Sequence, residues 1–185
     1  VRKPVQDNSL AIVIAAGIGS RLRPFTNELP KCMLNVQSKT MLNRALGTFQ
    51  DLGFAHSIVI GGYKPEKLLL PDQSKLVLND QYLTNNILHS LACARESMRE
   101  VSNTLISYSD IIFRKQVVER LLEADKSDIA IVVDIGQTDT VRTARRIVDG
   151  MADPGLSPSD RRCENEQRPE QSVQDDLQGR VRYVR

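Results

Sequence analysis

Residues 15–34 read AAGIGSRLRPFTNELPKCML, with two glycines, two prolines, two arginines and a lysine directly behind an apolar run. A glycine-rich turn after a buried strand aims successive backbone N–H groups at one point, where they bind phosphate oxygens. Gly17 and Gly19 let the backbone approach a ligand closely and take positive φ, with Ala16 and Ser20 completing the turn. Arg21, Arg23 and Lys31 add fixed positive charge. Pro24 and Pro30 stiffen the segment, so that this charge need not be ordered when an anion binds. The stretch reads as a polyphosphate cradle. It is not a Walker A loop, because no Gly-Lys-Ser/Thr follows, and it lacks the third glycine of a dinucleotide fingerprint. For the Gly-x-Gly element alone, an ordinary surface loop is the competing reading.

Two further groups carry chemistry. SYSDIIF (107–113) ends an apolar strand in Asp110. A carboxylate there points into a phosphate crevice and suits Mg²⁺, a hard cation that keeps several waters. The alternative is a cap on the next helix. NDQYLTNNILHSL (79–91) opens a helix with Asn85 and Asn86. An Asn side chain carries both donor and acceptor and can read a base edge, or it can simply cap the helix. Cys32, beside Lys31, is either a thiol of depressed pKa or a spectator. His56 and His89 have no partner spacing for a metal or a triad. Gly61 and Gly62 either admit a base or end a strand, and Asp134 either touches substrate or a second metal or has a capping or surface role.

These residues need elements that hold them. LAIVIAA (10–16) is a continuous apolar run stopped by Gly17, as in a strand buried on both faces. SIVIGG (57–62), KLVLND (75–80), NTLISYSD (103–110) and DIAIVVD (128–134) read as four more strands. Between them, 41–53, 85–98 and 114–125 repeat apolar residues at helical spacing, with Gly53 a C-cap signal for the first. A short extended piece is expected at MLNV (33–36). Buried strands alternating with amphipathic helices predict an α/β fold, a Rossmann-like, mostly parallel sheet with helices on both faces. Ligands of such sheets bind beyond the carboxyl ends of the strands. The glycine loop, Gly61-Gly62, Asp110 and Asp134 all fall there.

The chain has 185 residues, a net charge of +2 and three cysteines. This suffices for one domain with a core. Near-neutral charge argues against a general nucleic-acid binder, so no nucleic acid is expected as partner. No apolar run approaches the roughly 18–20 residues of a membrane span, so no membrane partner is expected either. VRKPVQDNSL has no apolar core of a signal peptide. Cys32, Cys93 and Cys163 form no CxxC pair, which fits a cytoplasmic protein without a zinc site. From about 137 the periodicity stops. The domain reading is therefore 1–136, followed by an atypical polar tail, 137–185. A short helix is possible over 141–149. Residues 151–185 have too few large apolar residues to offset the backbone entropy of folding.

The full pattern A-A-G-x-G-x-R-L-x-P-x-T-x-x-x-P-K is filled by Ala15, Ala16, Gly17, Gly19, Arg21, Leu22, Pro24, Thr26, Pro30 and Lys31. It resembles the signature of the nucleotidyltransferases that join a nucleoside monophosphate to a sugar phosphate or phospho-alcohol, over roughly residues 9–136. The resemblance implies that the loop wraps a nucleoside triphosphate. It also implies that Arg21 neutralises departing pyrophosphate, Lys31 holds the phosphates in line and Asp110 ligates catalytic Mg²⁺. TNNI…SL resembles the subgroup that activates phosphocholine or aminoalkylphosphonates with CTP, which implies CTP and a small phosphorylated acceptor as partners. A sugar-1-phosphate nucleotidyltransferase and a catalytically incomplete nucleotide-binding remnant are the alternatives. Members of that subgroup continue beyond the fifth strand with an acceptor-binding segment and a second acid. The polar sequence after 137 predicts that this usual C-terminal part is lacking.

Overall fold

The computed structural model describes residues 8–123, 129–132 and 180–184. The chain divides into a unit of Val1–Ile131 with Leu177–Arg185 and a second of Val132–Asp176; the first holds the described elements treated below, save Val132, the last residue of β7. Strand β1 (Ser9–Ala15) is buried from Leu10 onward, as its unbroken apolar run requires. It pairs in parallel with β4 (His56–Gly61) on one side and β6 (Asn103–Tyr108) on the other. Beyond β4 lies β5 (Ser74–Leu78), also parallel. Beyond β6 come β8 (Arg180–Val184), parallel to it, and then β7 (Ile129–Val132). The six-stranded order is β5-β4-β1-β6-β8-β7. The sheet therefore changes direction of winding between β1 and β6, the position at whose carboxyl end open α/β sheets hold their ligand crevice.

Side chains alternate across a strand. Leu10, Ile12 and Ile14 share one face with Ile58, Ile60 and Ile106. Leu91 of α2 (Ile87–Ala92), Met98 of α3 (Arg95–Arg99) and Ala94 between them cover it. On the opposite face Ser57, paired with Ala11, shares a small cleft with Leu46, Phe49 and Phe54. That face is covered by α1 (Met41–Asp51), whose Met41, Leu42, Ala45, Leu46 and Phe49 are buried. Phe49 stacks on Phe113, centroids 5.9 Å apart. Just beyond Phe113, α4 (Lys115–Glu123) begins, with Lys115 Nζ donating to the Asp51 carbonyl (2.8 Å). The α/β reading with helices on both faces holds.

The local signals act as their chemistry dictates. Thr40 caps α1 by accepting from Asn43 N–H (3.1 Å). Gly53, at φ 96°, closes the other end in the left-handed conformation that glycine adopts without cost. The extended piece is a minimal antiparallel hairpin, β2 (Asn35–Val36) with β3 (Lys39–Thr40), turning through Gln37 and Ser38 at positive φ.

Two readings change. The single helix over 85–98 is two, interrupted at Cys93 and Ala94, where Ala94 N–H bonds back three residues to Leu91. One apolar stripe runs through both pieces, so periodicity could not find the break. RVRYV, placed in a polar tail, is strand β8 beside β6. Asp134, the 141–149 helix and the rest of the 151–185 segment lie outside the described residues.

Candidate active site

The site is built from the ends of β1, β4, β5 and β6. Just past β6, Ser109 N–H donates to the Ile14 carbonyl (3.1 Å), carrying the β1–β6 pairing to the threshold of the crevice. The next residue is Asp110. Its Oδ2 receives a hydrogen bond from Lys31 Nζ at 2.7 Å. The last cation of the glycine-loop segment and the acid from the neighbouring strand thus meet, 79 residues apart in sequence. Side-chain exposures of 29% and 40% leave this ion pair open to solvent and to ligand.

The cradle is a folded object rather than a long loop. Single-turn 3₁₀ helices form at Ser20–Leu22 and Lys31–Met33. Gly19 sits at φ 67°, and a Cβ on it would lie 3.0 Å from Lys31 Cβ and 3.3 Å from Thr26 Cγ2. Both conformation and space therefore require glycine there. Gly17 differs: it is exposed, has no positive φ, and a Cβ on it would meet nothing within 4 Å. The expectation of positive φ holds for Gly19 alone, because the chain reverses at one residue only. Ala16 is buried, and its carbonyl accepts from Tyr63 N–H (3.1 Å). Ser20, Arg21 and Arg23 are exposed beside the turn.

The Asn85–Asn86 segment is organised by a residue that the sequence did not single out. Asn79 follows β5 and is 3% exposed. Its Nδ2 donates to Asn85 Oδ1 and to Ser90 Oγ, both at 2.9 Å. Its Oδ1 accepts from Asn85 Nδ2 (2.9 Å) and Gln81 N–H (3.1 Å). Asn86 Oδ1 accepts from His89 N–H (3.2 Å), the α2 cap, and lies 3.1 Å from His89 Nδ1. The structure therefore gives both asparagines the work of shaping and capping this segment. Gly62 joins the segment to the cradle: a Cβ there would lie 2.7 Å from Tyr82 Cβ and 2.8 Å from the Ala16 carbonyl. Only glycine leaves room there for the Tyr82 side chain and the Ala16 carbonyl. Asn79 had a sequence signal, a polar residue ending an apolar strand as Asp110 does. Tyr63, which reaches across to the cradle, had none.

Burial pushes the Cys32 thiol up to about 11, with the Asp110 charge acting in the same direction. A depressed thiol beside Lys31 is thus replaced by a protonated spectator. Lys64 Nζ bonds Glu28 Oε2 (2.7 Å), and this hydrogen bond with the ammonium charge lowers the Glu28 carboxyl below its ordinary value. Among the described residues no cluster of three or more His, Cys, Asp or Glu side chains could form a ready-made metal site. Asp110 is a hard-oxygen donor at the carboxyl end of β6. That donor set fits Mg²⁺ held by one or two carboxylates together with substrate phosphates.

An open parallel sheet with a cationic glycine loop and a facing carboxylate at its switch point defines an α/β nucleotidyltransferase fold. The chain belongs to the MobA-like NTP transferase domain family, whose profile matches residues 11–163. It is 34% identical over 132 residues to a CTP:phosphoglutamine cytidylyltransferase of Campylobacter jejuni, covering 67% of this chain and 52% of the relative. A choline-phosphate cytidylyltransferase of Streptococcus pneumoniae is 32% identical over 103 residues, covering 54% of this chain and 44% of the relative. A UTP–glucose-1-phosphate uridylyltransferase of Haloferax volcanii is 31% identical over 132 residues, covering 67% and 53%. The chain spans about half the length of the curated relatives it matches. The family resemblance read from the signature is thereby established, cytidylyltransferase relatives included. No helix among the described residues is long and apolar enough to cross a membrane.

Proposed function

We propose that the chain binds a nucleoside triphosphate, CTP in preference to others, and transfers its nucleoside monophosphate to a small phosphorylated or phosphonylated alcohol or amine. An acceptor phosphate oxygen attacks the α-phosphorus, the α–β bridging P–O bond breaks, and pyrophosphate leaves. The observation that carries this reading is the meeting of Lys31 and Asp110 at the mouth of the β1–β6 crevice. Such a reaction needs alignment and charge neutralisation more than a protein nucleophile.

The residues divide the work by chemistry. The backbone N–H groups from Gly17 to Arg21 line the phosphates, with Gly19 fixing the turn. Arg21, exposed beside that turn, meets the charge that grows on departing pyrophosphate. Lys31 leaves Asp110 for the phosphates. An exposed ion pair is worth only about 0–1 kcal/mol, whereas a charge-assisted hydrogen bond to phosphate contributes about 1.5–3 kcal/mol. The transfer of Lys31 is therefore downhill. It frees the Asp110 carboxylate as an oxygen donor for Mg²⁺, which when bound supplies further charge neutralisation on the phosphate oxygens.

The preference for CTP rests on the cytidylyltransferase relatives and the TNNI segment; the uridylyltransferase relative supports a sugar-1-phosphate acceptor with UTP as the second reading. The test is pyrophosphate release with CTP, UTP, GTP, ATP and dTTP against phosphocholine, aminoethylphosphonate, phosphoglutamine and glucose-1-phosphate. Release with CTP and a phospho-amine is expected. Release only with UTP and the sugar phosphate would establish the second reading. Triphosphate binding without release in any combination would leave a nucleotide-binding domain.

A further inference from the structure

We infer that Tyr63 is a positioning residue for the phosphate cradle, a strut that fastens the glycine loop to the end of β4. The inference rests on the triphosphate reading of the cradle. Tyr63 touches the loop at its start and at its middle. Its backbone N–H donates to the carbonyl of Ala16, where the loop leaves β1 (3.1 Å). Its hydroxyl reaches the carbonyls of Thr26 (3.1 Å) and Asn27 (2.9 Å), 37 and 36 residues away in sequence.

What it holds there matters. Thr26 is fully buried, and its Oγ1 donates to the Gly19 carbonyl at 2.9 Å. Its Cγ2 and Lys31 Cβ close off the space behind Gly19. The left-handed turn that aims the loop N–H groups is thus braced by Thr26, and Thr26 by Tyr63. One residue on, Lys64 bonds Glu28. That pair joins the same two segments, but Glu28 is largely exposed, so it contributes little by itself. The hydroxyl of Tyr63 is only half-buried and ties down main-chain carbonyls of the loop rather than core side chains. Its loss therefore frees the loop and not the sheet, and a freed loop must be ordered again when an anion binds.

Tyr63→Phe removes the hydroxyl and keeps the ring and the N–H bond to Ala16. Calorimetric titration with CTP and with tripolyphosphate, each with Mg²⁺, should give affinities about three- to tenfold weaker than wild type for both probes, the range expected for one hydrogen bond. Amide exchange at Leu22, Arg23 and Asn27, whose N–H groups are hydrogen-bonded within the loop, should quicken in the free variant, while exchange in β1, β4 and β6 and the thermal midpoint stay at wild-type values. Lys64→Gln serves as the comparison, with a smaller effect on both probes. Wild-type affinity and wild-type loop exchange in Tyr63→Phe overturn the strut. So does a lowered midpoint with exchange raised throughout the sheet, which would make Tyr63 a general stability residue. If the wild type binds neither probe, the triphosphate reading itself fails. Loop exchange alone then decides whether Tyr63 braces the turn, and unchanged exchange overturns it.

Discussion

The cradle of residues 15–34 and the segment of residues 79–90 both lie beyond the carboxyl ends of the parallel strands, yet they spend their polar groups differently. In the cradle, Gly17, Ser20, Arg21 and Arg23 are exposed, and Lys31 is held by a single exposed carboxylate. In the other segment, the amide of Asn85 is matched by that of Asn79 in two reciprocal hydrogen bonds, and the Asn86 oxygen caps a helix. One region leaves its charged groups open to solvent. The other uses its amides to hold a shape. Cations clustered in sequence cannot satisfy one another and must find partners elsewhere, as Lys31 does at Asp110. Amides satisfy one another readily, since each carries a donor and an acceptor.

The largest effect expected from breaking this contrast is at Asp110. Asp110→Asn should abolish Mg²⁺-dependent nucleotidyl transfer while leaving the thermal midpoint unchanged, because the side chain is exposed at a strand end. Metal titration and turnover equal to the parent would make Asp110 a simple cap.

Lys31→Ala and Arg21→Ala come next, each weakening triphosphate binding by about 1.5–3 kcal/mol, or roughly ten- to a hundredfold. Lys31→Ala carries a second sign. By removing the cation that sits on Asp110, it should strengthen binding of Mn²⁺ alone, read by paramagnetic resonance without nucleotide. Triphosphate affinity equal to wild type in both variants would end the cradle reading.

On the amide side the expected losses are in stability. Asn79→Ala leaves the Asn85 amide and Ser90 hydroxyl without their buried partner and should cost about 1–3 kcal/mol by denaturant unfolding. Asn86→Ala should cost about 1 kcal/mol through the lost cap. If Asn86→Ala instead abolishes a CTP-over-UTP preference at unchanged stability, the segment belongs with the cradle as a ligand-reading surface, and the contrast fails.

The smallest effect separates the cysteines. Cys93 is exposed, whereas Cys32 is buried with its thiol pushed up to about 11 from an ordinary 9.0. Peptide mapping after limited alkylation near neutral pH should find Cys93 modified before Cys32. A raised thiol pKa in the folded state means that this contribution to stability is complete below about 9 and is lost as pH rises toward about 11. A faster Cys32, or stability indifferent to Cys32→Ala over that interval, would contradict the burial.

The sequence made five of the six described sheet strands, α1 and α4 legible because apolar runs and helical spacing record burial directly, and Gly17 and Asp110 bounded two of the strands. It made the cradle legible because glycine, proline and fixed charge have few other uses together. It did not reveal the break between α2 and α3, which leaves the apolar stripe intact. Nor did it reveal β8, whose five residues, RVRYV, stand within a polar stretch and find their place only beside β6.

By itself, then, the sequence determined the class of fold and the strand that carries the glycine loop, since local propensity and charge are properties of neighbours in the chain. Tertiary structure alone decided that Lys31 reaches Asp110, that Asn79 occupies both sides of the Asn85 amide, and that Tyr63 spans the cradle. Each of these is a directional contact, and the first and last join residues more than thirty positions apart. Their distances are fixed by the order and register of the strands, which no local pattern encodes.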